Sequence, residues 1–262
     1  MTIDAHPFDW REYPRAALVT GAGKRLGRAM ALALAEDGWN LAVHYNTSEA
    51  EAEEVAALAR QQGVSAVTMS AELAREDDVQ ALVPKAAEAI GPLGLLVNSA
   101  SVFEMDRSLS ATRQSWDRHM EINLRAPFVL AQAFARALPD DRAGLIVNML
   151  DERVWKPTPY FTSYTVAKSG LWTLTRTMAL DLAPRIRVNG IGPGFTLPSA
   201  KQSQEQFDRQ SARMPLGRGA NAEEIVRALR FLVQATSVTG QMIAMDGGQH
   251  LAWRVHSAED LG

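Results

Sequence analysis

Residues 16–45 read AALVTGAGKRLGRAMALALAEDGWNLAVHY, and the punctuation of this stretch decides the fold. A short apolar run, Ala16–Thr20, leads into a turn containing Gly21, Gly23 and Gly27. An alanine-rich helical pattern follows over 27–37, Gly38 ends it, and Asn40–Tyr45 is a second apolar run of strand length. A strand, a glycine turn, a helix and another strand make the opening unit of a parallel sheet with crossover helices.

The same alternation continues to the end of the chain. Further strands are expected at Ser65–Ser70, Leu93–Asn98, Gly144–Asn148, Arg187–Ile191 and Met242–Met245, with helical stretches at 49–62, 76–90, 113–137 and 161–183. No Pro/Gly/Ser-rich linker divides the chain. The expected architecture is therefore one Rossmann-type α/β domain over 15–252: a doubly wound, seven-stranded parallel sheet with helices on both faces. Residues 1–14 and 253–262 are expected to be tails. Segment 195–220 has a weak pattern, which fits either a surface loop or a cover over a ligand.

Composition narrows the function classes. The chain has 262 residues, 47% hydrophobic and 22% charged, as in ordinary soluble globular proteins. It contains no cysteine, so disulfides, thiolate metal sites and a cysteine nucleophile are excluded. A net charge of −3 gives no reason to expect nucleic acid or an anionic membrane as partner. The start MTIDAHPFDWREYPR lacks a signal-peptide pattern, and no apolar run approaches the ~18 residues that suggest a membrane span. These features lead to the expectation of a soluble cytoplasmic protein acting on a small molecule.

Glycines between a strand and a helix let the backbone approach a pyrophosphate, and the helix N-terminus offers free N–H groups to it. The spacing departs from GxGxxG, because position 26 is Leu26, and glycines alone fit a plain structural turn as well. The second strand adds more. It ends in LAVHYNTS, where Asn46, Thr47 and Ser48 stand in place of an acid, and Lys24 and Arg25 lie in the glycine turn. Polar donors and two cations suit the extra phosphate of NADP, which an acid would repel. NADPH is the expected cofactor.

A second stretch, NMLDERVWKPTPYFTSYTVAK at 148–168, holds the expected chemistry. Tyr164 and Lys168 are spaced i, i+4, so they share one helix face. A cation there is expected to lower the tyrosine's pKa and fit it for proton transfer. Thirteen positions before the tyrosine stands Asp151.

In order and spacing, TGAGKRLG at 20–27, VNSAS at 97–101, Asn123 in INLRAP, Tyr164-xxx-Lys168, VNGIGPG at 188–194 and MDGG at 245–248 resemble the short-chain dehydrogenase/reductase family from Ala16 to about Leu251. The resemblance implies an Asn123, Tyr164 and Lys168 catalytic set. It also implies cofactor contacts at Gly21, Lys24, Arg25, Leu26, Gly27, Asn46, Thr47, Ser48, Asn98, Ala100, Tyr164, Lys168, Pro193 and Gly194. It further implies a homotetramer. The family's usual serine is replaced by Asp151, whose charge would repel the oxyanion of a ketone reduction.

That replacement, with KRLG in the turn and HYNTS after the second strand, resembles the pteridine reductases and dihydromonapterin reductases. This closer resemblance implies a substrate pocket of Arg25, Ser101, Phe103, Asp151 and Tyr164, with Phe103 stacked on the pterin. It implies reduction of a dihydropterin to its tetrahydro form. Two departures, Ser99 for an asparagine and Glu72 for an aspartate expected at the adenine, leave the cofactor contacts open. Two other functions remain open: an NADPH-dependent reductase of a carbonyl compound, and a nucleotide-binding regulatory protein. His44 is expected to support the strand end, Trp155 to pack, and Trp253 and Arg254 to reach a neighbouring chain.

Overall fold

The computed structural model describes residues 10–198 and 202–252, so the expectation for Trp253 and Arg254 lies outside the described residues. The strands are β1 (Ala16–Val19), β2 (Asn40–Tyr45), β3 (Ala66–Ser70), β4 (Leu95–Asn98), β5 (Gly144–Met149), β6 (Ile186–Pro193) and β7 (Met242–Met245). They form one seven-stranded sheet in the order β3-β2-β1-β4-β5-β6-β7, with every neighbouring pair parallel. The expected doubly wound architecture is observed.

Side chains alternate across the sheet because strand residues have a period of two. Ala17, Val19, Leu95, Val97, Leu145 and Val147 point into one core layer, under helices α1 (Arg25–Glu36), α2 (Glu49–Gln61) and α8 (Ala222–Gln234). Ala16, Leu18, Leu96 and Ile146 point into the other, under α3 (Glu76–Ile90), α5 (Ala126–Ala137) and part of α6 (Thr162–Asp181). With both faces covered, the strands read as continuous apolar runs.

The structure differs from the expected elements in four places. The stretch 113–137 is not one helix: α4 (Arg113–Met120) passes through a π-helical turn at Glu121–Arg125 before α5 begins. Pro127 near the start of α5 has no N–H to donate, and Asn123 sits in the turn. Segment 195–220 contains a helix, α7 (Gln204–Ser211), started by a reciprocal Ser203–Gln206 capping box. Helix α8 was not expected, although Asn221 and Glu224 form another capping box and its apolar positions recur on one face. Finally, Tyr13, placed in the N-terminal tail by the sequence, is buried, and its hydroxyl accepts from Arg187 Nε at 3.0 Å.

Parallel strands bring their C-terminal ends to one edge of the sheet. The segments following β1, β2, β4, β5 and β6 carry Gly21, Asn46, Ser101, Asp151 and Gly194 respectively, and all five line a common cleft. No helix among the described residues is long and apolar enough to cross a membrane.

Candidate active site

The cleft encloses about 830 Å³. It is lined by all the expected catalytic, cofactor and substrate residues except two: Gly21, Lys24, Arg25, Leu26, Gly27, Asn46, Thr47, Ser48, Ala100, Ser101, Phe103, Asp151, Tyr164, Lys168, Pro193 and Gly194. The exceptions are Asn98 and Asn123, both buried.

Asn98 ends β4 and donates through Nδ2 to Asn148 Oδ1 at 2.8 Å, while Asn148 donates to Thr175 Oγ1 on α6 at 2.9 Å. That chain ties two strands to α6, and Asn98 does not itself line the cleft. Asn123 clamps the main chain of Val102 from both sides, accepting from its N–H and donating to its C=O, each at 2.8 Å. The π-helical turn aims the amide at this loop, which bears Ser101 and Phe103. Asn123, expected in the catalytic set, thus contacts the main chain of this loop and does not itself line the cleft.

At the nucleotide end, Gly27 is held by space. A Cβ there would lie 2.2 Å from Gly21 O, and one on Gly21, whose φ is +64°, would lie 2.9 Å from Ala100 Cα. His44 fixes the turn from below: Nδ1 accepts from Gly21 N–H at 3.1 Å and Nε2 donates to Ala71 O at 3.1 Å. Burial lowers its pKa, so the neutral ring with hydrogen on Nε2 satisfies both partners. This is the support expected of His44. Beyond β2, Asn46 Nδ2 donates to Glu72 at 2.7 Å, and Lys24 pairs with Glu51 at 2.7 Å on an exposed rim. Arg25 starts α1 at φ +53° and donates to the carbonyls of Pro198 and Leu197, at 2.8 and 3.3 Å, bridging the glycine turn to the segment after β6. The bare backbone, uncapped helix start and row of polar side chains fit a dinucleotide phosphate chain.

At the chemical end, Tyr164 donates its hydroxyl hydrogen to Asp151 Oδ2 at 2.8 Å. Asp151 follows β5, and its Oδ1 also accepts from the N–H of Arg153, at 2.9 Å, turning the chain into a 3-10 turn at Glu152–Val154. Arg153 Nη1 reaches both carboxylate oxygens, at 3.0 and 3.3 Å, and its guanidinium lies 5.4 Å from the rings of both Phe103 and Phe161. Phe103 is half-exposed rather than core; it stacks on Phe161 at 4.1 Å and meets Tyr164 edge-on at 4.7 Å. Phe161 holds a left-handed backbone at φ +59°, a conformation costing an L-residue about 1–2 kcal/mol. Trp155 lies outside the cleft, packed against Trp172 and His250.

Lys168 is buried and donates to Met149 O at 2.7 Å, while its ammonium stands 5.7 Å from the centre of the Tyr164 ring. Burial pulls its pKa down to about 8. The lowering of the Tyr164 pKa expected from Lys168 is outweighed: burial, followed by the charge of Asp151, pushes the tyrosine well above its ordinary value. Tyr164 therefore carries its proton at neutral pH, with the hydrogen directed at Asp151.

Arg153 and Phe161 carried no signal in the sequence, because a residue in an irregular loop belongs to no period. Glu152 was missed for the same reason. It is buried, accepts from Gln249 Nε2 at 2.8 Å through Oε1, and leaves Oε2 without a partner among the described residues. Burial, with Asp151 beside it, raises its pKa from 4.5 to about 8. A raised carboxyl pKa stabilises the fold at low pH and loses that contribution as pH rises from the unfolded value through the folded one. Glu152→Gln keeps the acceptor for Gln249 and removes the titration. Its melting temperature is expected to match the native protein near pH 5 and to exceed it by at least about 2–4 °C at pH 9. A difference that does not grow with pH would contradict the assignment.

Comparison with known proteins places this geometry. Residues 21–250 match the family model described as enoyl-(acyl carrier protein) reductase. The 3-oxoacyl-[acyl-carrier-protein] reductase FabG of Staphylococcus aureus strain Mu50 is 32% identical over 242 residues, covering 90% of this chain and 98% of the relative. Glucose 1-dehydrogenase 2 of Bacillus subtilis is 29% identical over 247 residues, 90% of this chain and 95% of that one. Among solved structures, FolM alternative dihydrofolate reductase 1 from Brucella canis, complexed with NADP, superimposes with a TM-score of 0.90 at 45% identity, covering 95% of this chain and 99% of the other. Its counterpart from Brucella suis, also in complex with NADP, gives 0.88 at 47% identity over 92% and 96%. A family match spanning nearly the whole described domain, around a tyrosine and lysine one helical turn apart, makes this chain a member of the short-chain dehydrogenase/reductase family of oxidoreductases.

Proposed function

We propose that this protein is an NADPH-dependent pterin reductase, converting a dihydropterin to its tetrahydro form. One observation carries the reading: a carboxylate, Asp151, accepts the hydroxyl hydrogen of Tyr164 at 2.8 Å. A ketone being reduced develops negative charge on oxygen, which a carboxylate at this place repels. A reduced C=N bond instead needs a proton at nitrogen, and a pterin ring presents N–H donors that a carboxylate accepts.

NADPH bound in the glycine cradle supplies the hydride. The protein does the rest. Tyr164, kept protonated by burial and by Asp151, is the proton donor. Asp151 orients the hydroxyl and is itself held by Arg153. Phe103 offers a half-exposed ring face at the cleft on which a flat heterocycle can stack. Lys168 is placed to hold the nicotinamide ribose, and Asn46, Thr47, Ser48, Lys24 and Arg25 to receive the adenosine phosphates. The likeness to two NADP-bound alternative dihydrofolate reductases at 45% and 47% identity supports the cofactor and the substrate class. We also propose that the protein works as a homotetramer in the cytoplasm.

The 32% identity to a 3-oxoacyl-[acyl-carrier-protein] reductase supports a second reading, reduction of a carbonyl compound. The test follows NADPH absorbance with dihydromonapterin, dihydrobiopterin and dihydrofolate, beside a 3-oxoacyl thioester. Turnover of a dihydropterin that falls in Asp151→Ser by about 10²-fold or more is expected. Turnover of the thioester alone, rising in Asp151→Ser, would establish the carbonyl reading. NADPH binding without turnover of any substrate would point to the nucleotide-binding regulator.

A further inference from the structure

We propose that Asp106 is a positioning residue of this active centre: it caps the catalytic helix from a distant loop and so fixes Phe103 relative to Tyr164. The inference rests on the proposed roles of those two residues, the aromatic platform and the proton donor.

Helix α6 begins without a cap of its own. Its N-cap residue, Phe161, is left-handed and supplies no side-chain acceptor. Free N–H groups at a buried helix start need partners. Asp106, 57 positions before Ser163 in sequence, provides them. Its carbonyl oxygen accepts from the N–H of Phe161 at 2.8 Å and of Thr162 at 3.4 Å, and its Oδ1 accepts from the N–H of Ser163 at 3.1 Å. The Ser163 hydroxyl donates to its Oδ2, and Ser115 Oγ stands 3.2 Å from the same oxygen.

The network extends to the substrate loop through His119. The N–H of Glu104 donates to His119 Nε2 at 3.2 Å, so the ring's hydrogen is on Nδ1, which donates to Ser163 Oγ at 2.7 Å. Each donor has an acceptor, and the chain of donors ends on the carboxylate. Asp106, His119 and Ser163 are all buried, and none lines the cleft.

The consequence lies in what flanks them. Phe103 is three residues before Asp106, and Tyr164 directly follows Ser163. Loop 103–106 and helix start 161–164 are thus fastened at the cleft by the Phe103–Phe161 ring stack and underneath by the carbonyl and the carboxylate of Asp106. The main-chain carbonyl of Asp106 also holds Phe161 in its left-handed conformation, by taking the N–H groups of Phe161 and Thr162, and the carboxylate fixes that carbonyl in place by gripping Ser163.

Asp106→Ala removes the side-chain cap. Because misplacement of about 1 Å costs about 10²-fold, kcat/KM for the best dihydropterin is expected to fall roughly 10²-fold, with the NADPH dissociation constant unchanged within about twofold. A double-mutant cycle separates positioning from simple destabilisation. If Asp106 works by placing Phe103 against Tyr164, Asp106→Asn and Phe103→Leu are expected to be non-additive in kcat/KM. Additive effects, or kcat/KM within about twofold of native well below the melting range, would overturn the proposal. Should Asp106→Ala fail to fold, Ser163→Ala, which leaves the backbone N–H on Oδ1, is expected to lower kcat/KM by at least about threefold; an unchanged value would overturn it equally.

Failure of the pterin reading itself would appear as a native protein that turns over no pterin. Amide hydrogen exchange with NADP+ present then decides the positioning alone. Asp106→Asn is expected to speed exchange at 103–107 and 161–165 and to leave 16–27 unchanged. Uniform or absent change would overturn it.

Discussion

Tyr164→Phe is expected to lower turnover of a dihydropterin by about 10²–10⁴-fold while leaving NADPH affinity within about twofold, because a positioned general acid contributes on that scale. The phenyl ring keeps the packing against Phe103 and His119, so the change removes little but the hydroxyl and its bond to Asp151. The protonation state of Tyr164 follows from the same geometry. In the common arrangement a lysine lowers the tyrosine's pKa and readies it to accept or give a proton. Here burial and Asp151 raise it, so the hydroxyl carries its proton at neutral pH, the state from which a reduction starts. Single-turnover kinetics with pre-bound NADPH would measure the loss. Retention of more than about a tenth of native turnover would remove Tyr164 from the proton-donor role.

The second large effect concerns the cradle. Gly27→Ala is expected to weaken NADPH binding by at least about 10–100-fold, equivalent to about 1.4–2.8 kcal/mol. The added Cβ would sit 2.2 Å from Gly21 O, and the neighbours it meets are backbone, so no side chain can swing aside. The glycine turn must open instead. Gly21 N–H would then leave His44 Nδ1, its anchor at 3.1 Å. Fluorescence titration with NADPH measures the effect, and a dissociation constant within about threefold of native would mean that the phosphates lie elsewhere in the cleft. Gly38→Ala makes a useful contrast. A Cβ there meets nothing within 4 Å, so its cost is confined to the backbone strain of φ +81° and should leave cofactor affinity intact.

The sequence by itself determined the architecture of this protein and which segments meet at its cleft. Parallel strands bury both faces, so they appear as unbroken apolar runs, and the segments that follow them must converge on one edge of the sheet. That rule accounts for the meeting of Gly21, Asn46, Ser101, Asp151 and Gly194 in one cleft, although Ser101 and Gly194 were expected there only from the family resemblance. The i, i+4 spacing likewise put Tyr164 and Lys168 on one helix face. Helix α8 was not expected, although Asn221 and Glu224 stand at capping-box spacing before an apolar stripe.

Only the tertiary structure decided how the cleft works. Whether Asn98 and Asn123 face the cleft or tie strands and loops beneath it depends on side-chain direction at a strand end and inside a π-helical turn, where no periodicity applies. Arg153, Phe161 and Asp106 act from irregular segments, and their partners lie two, 58 and 57 positions away respectively. The pKa of Tyr164 could not be read from the presence of a lysine, because its sign is set by burial and by which charge stands closer to the hydroxyl. Asp151 is hydrogen-bonded to that hydroxyl, whereas Lys168 lies over the ring and spends a hydrogen on Met149 O. Local spacing fixes which residues can meet. Burial and distance, which exist only in the folded chain, fix what they do to one another.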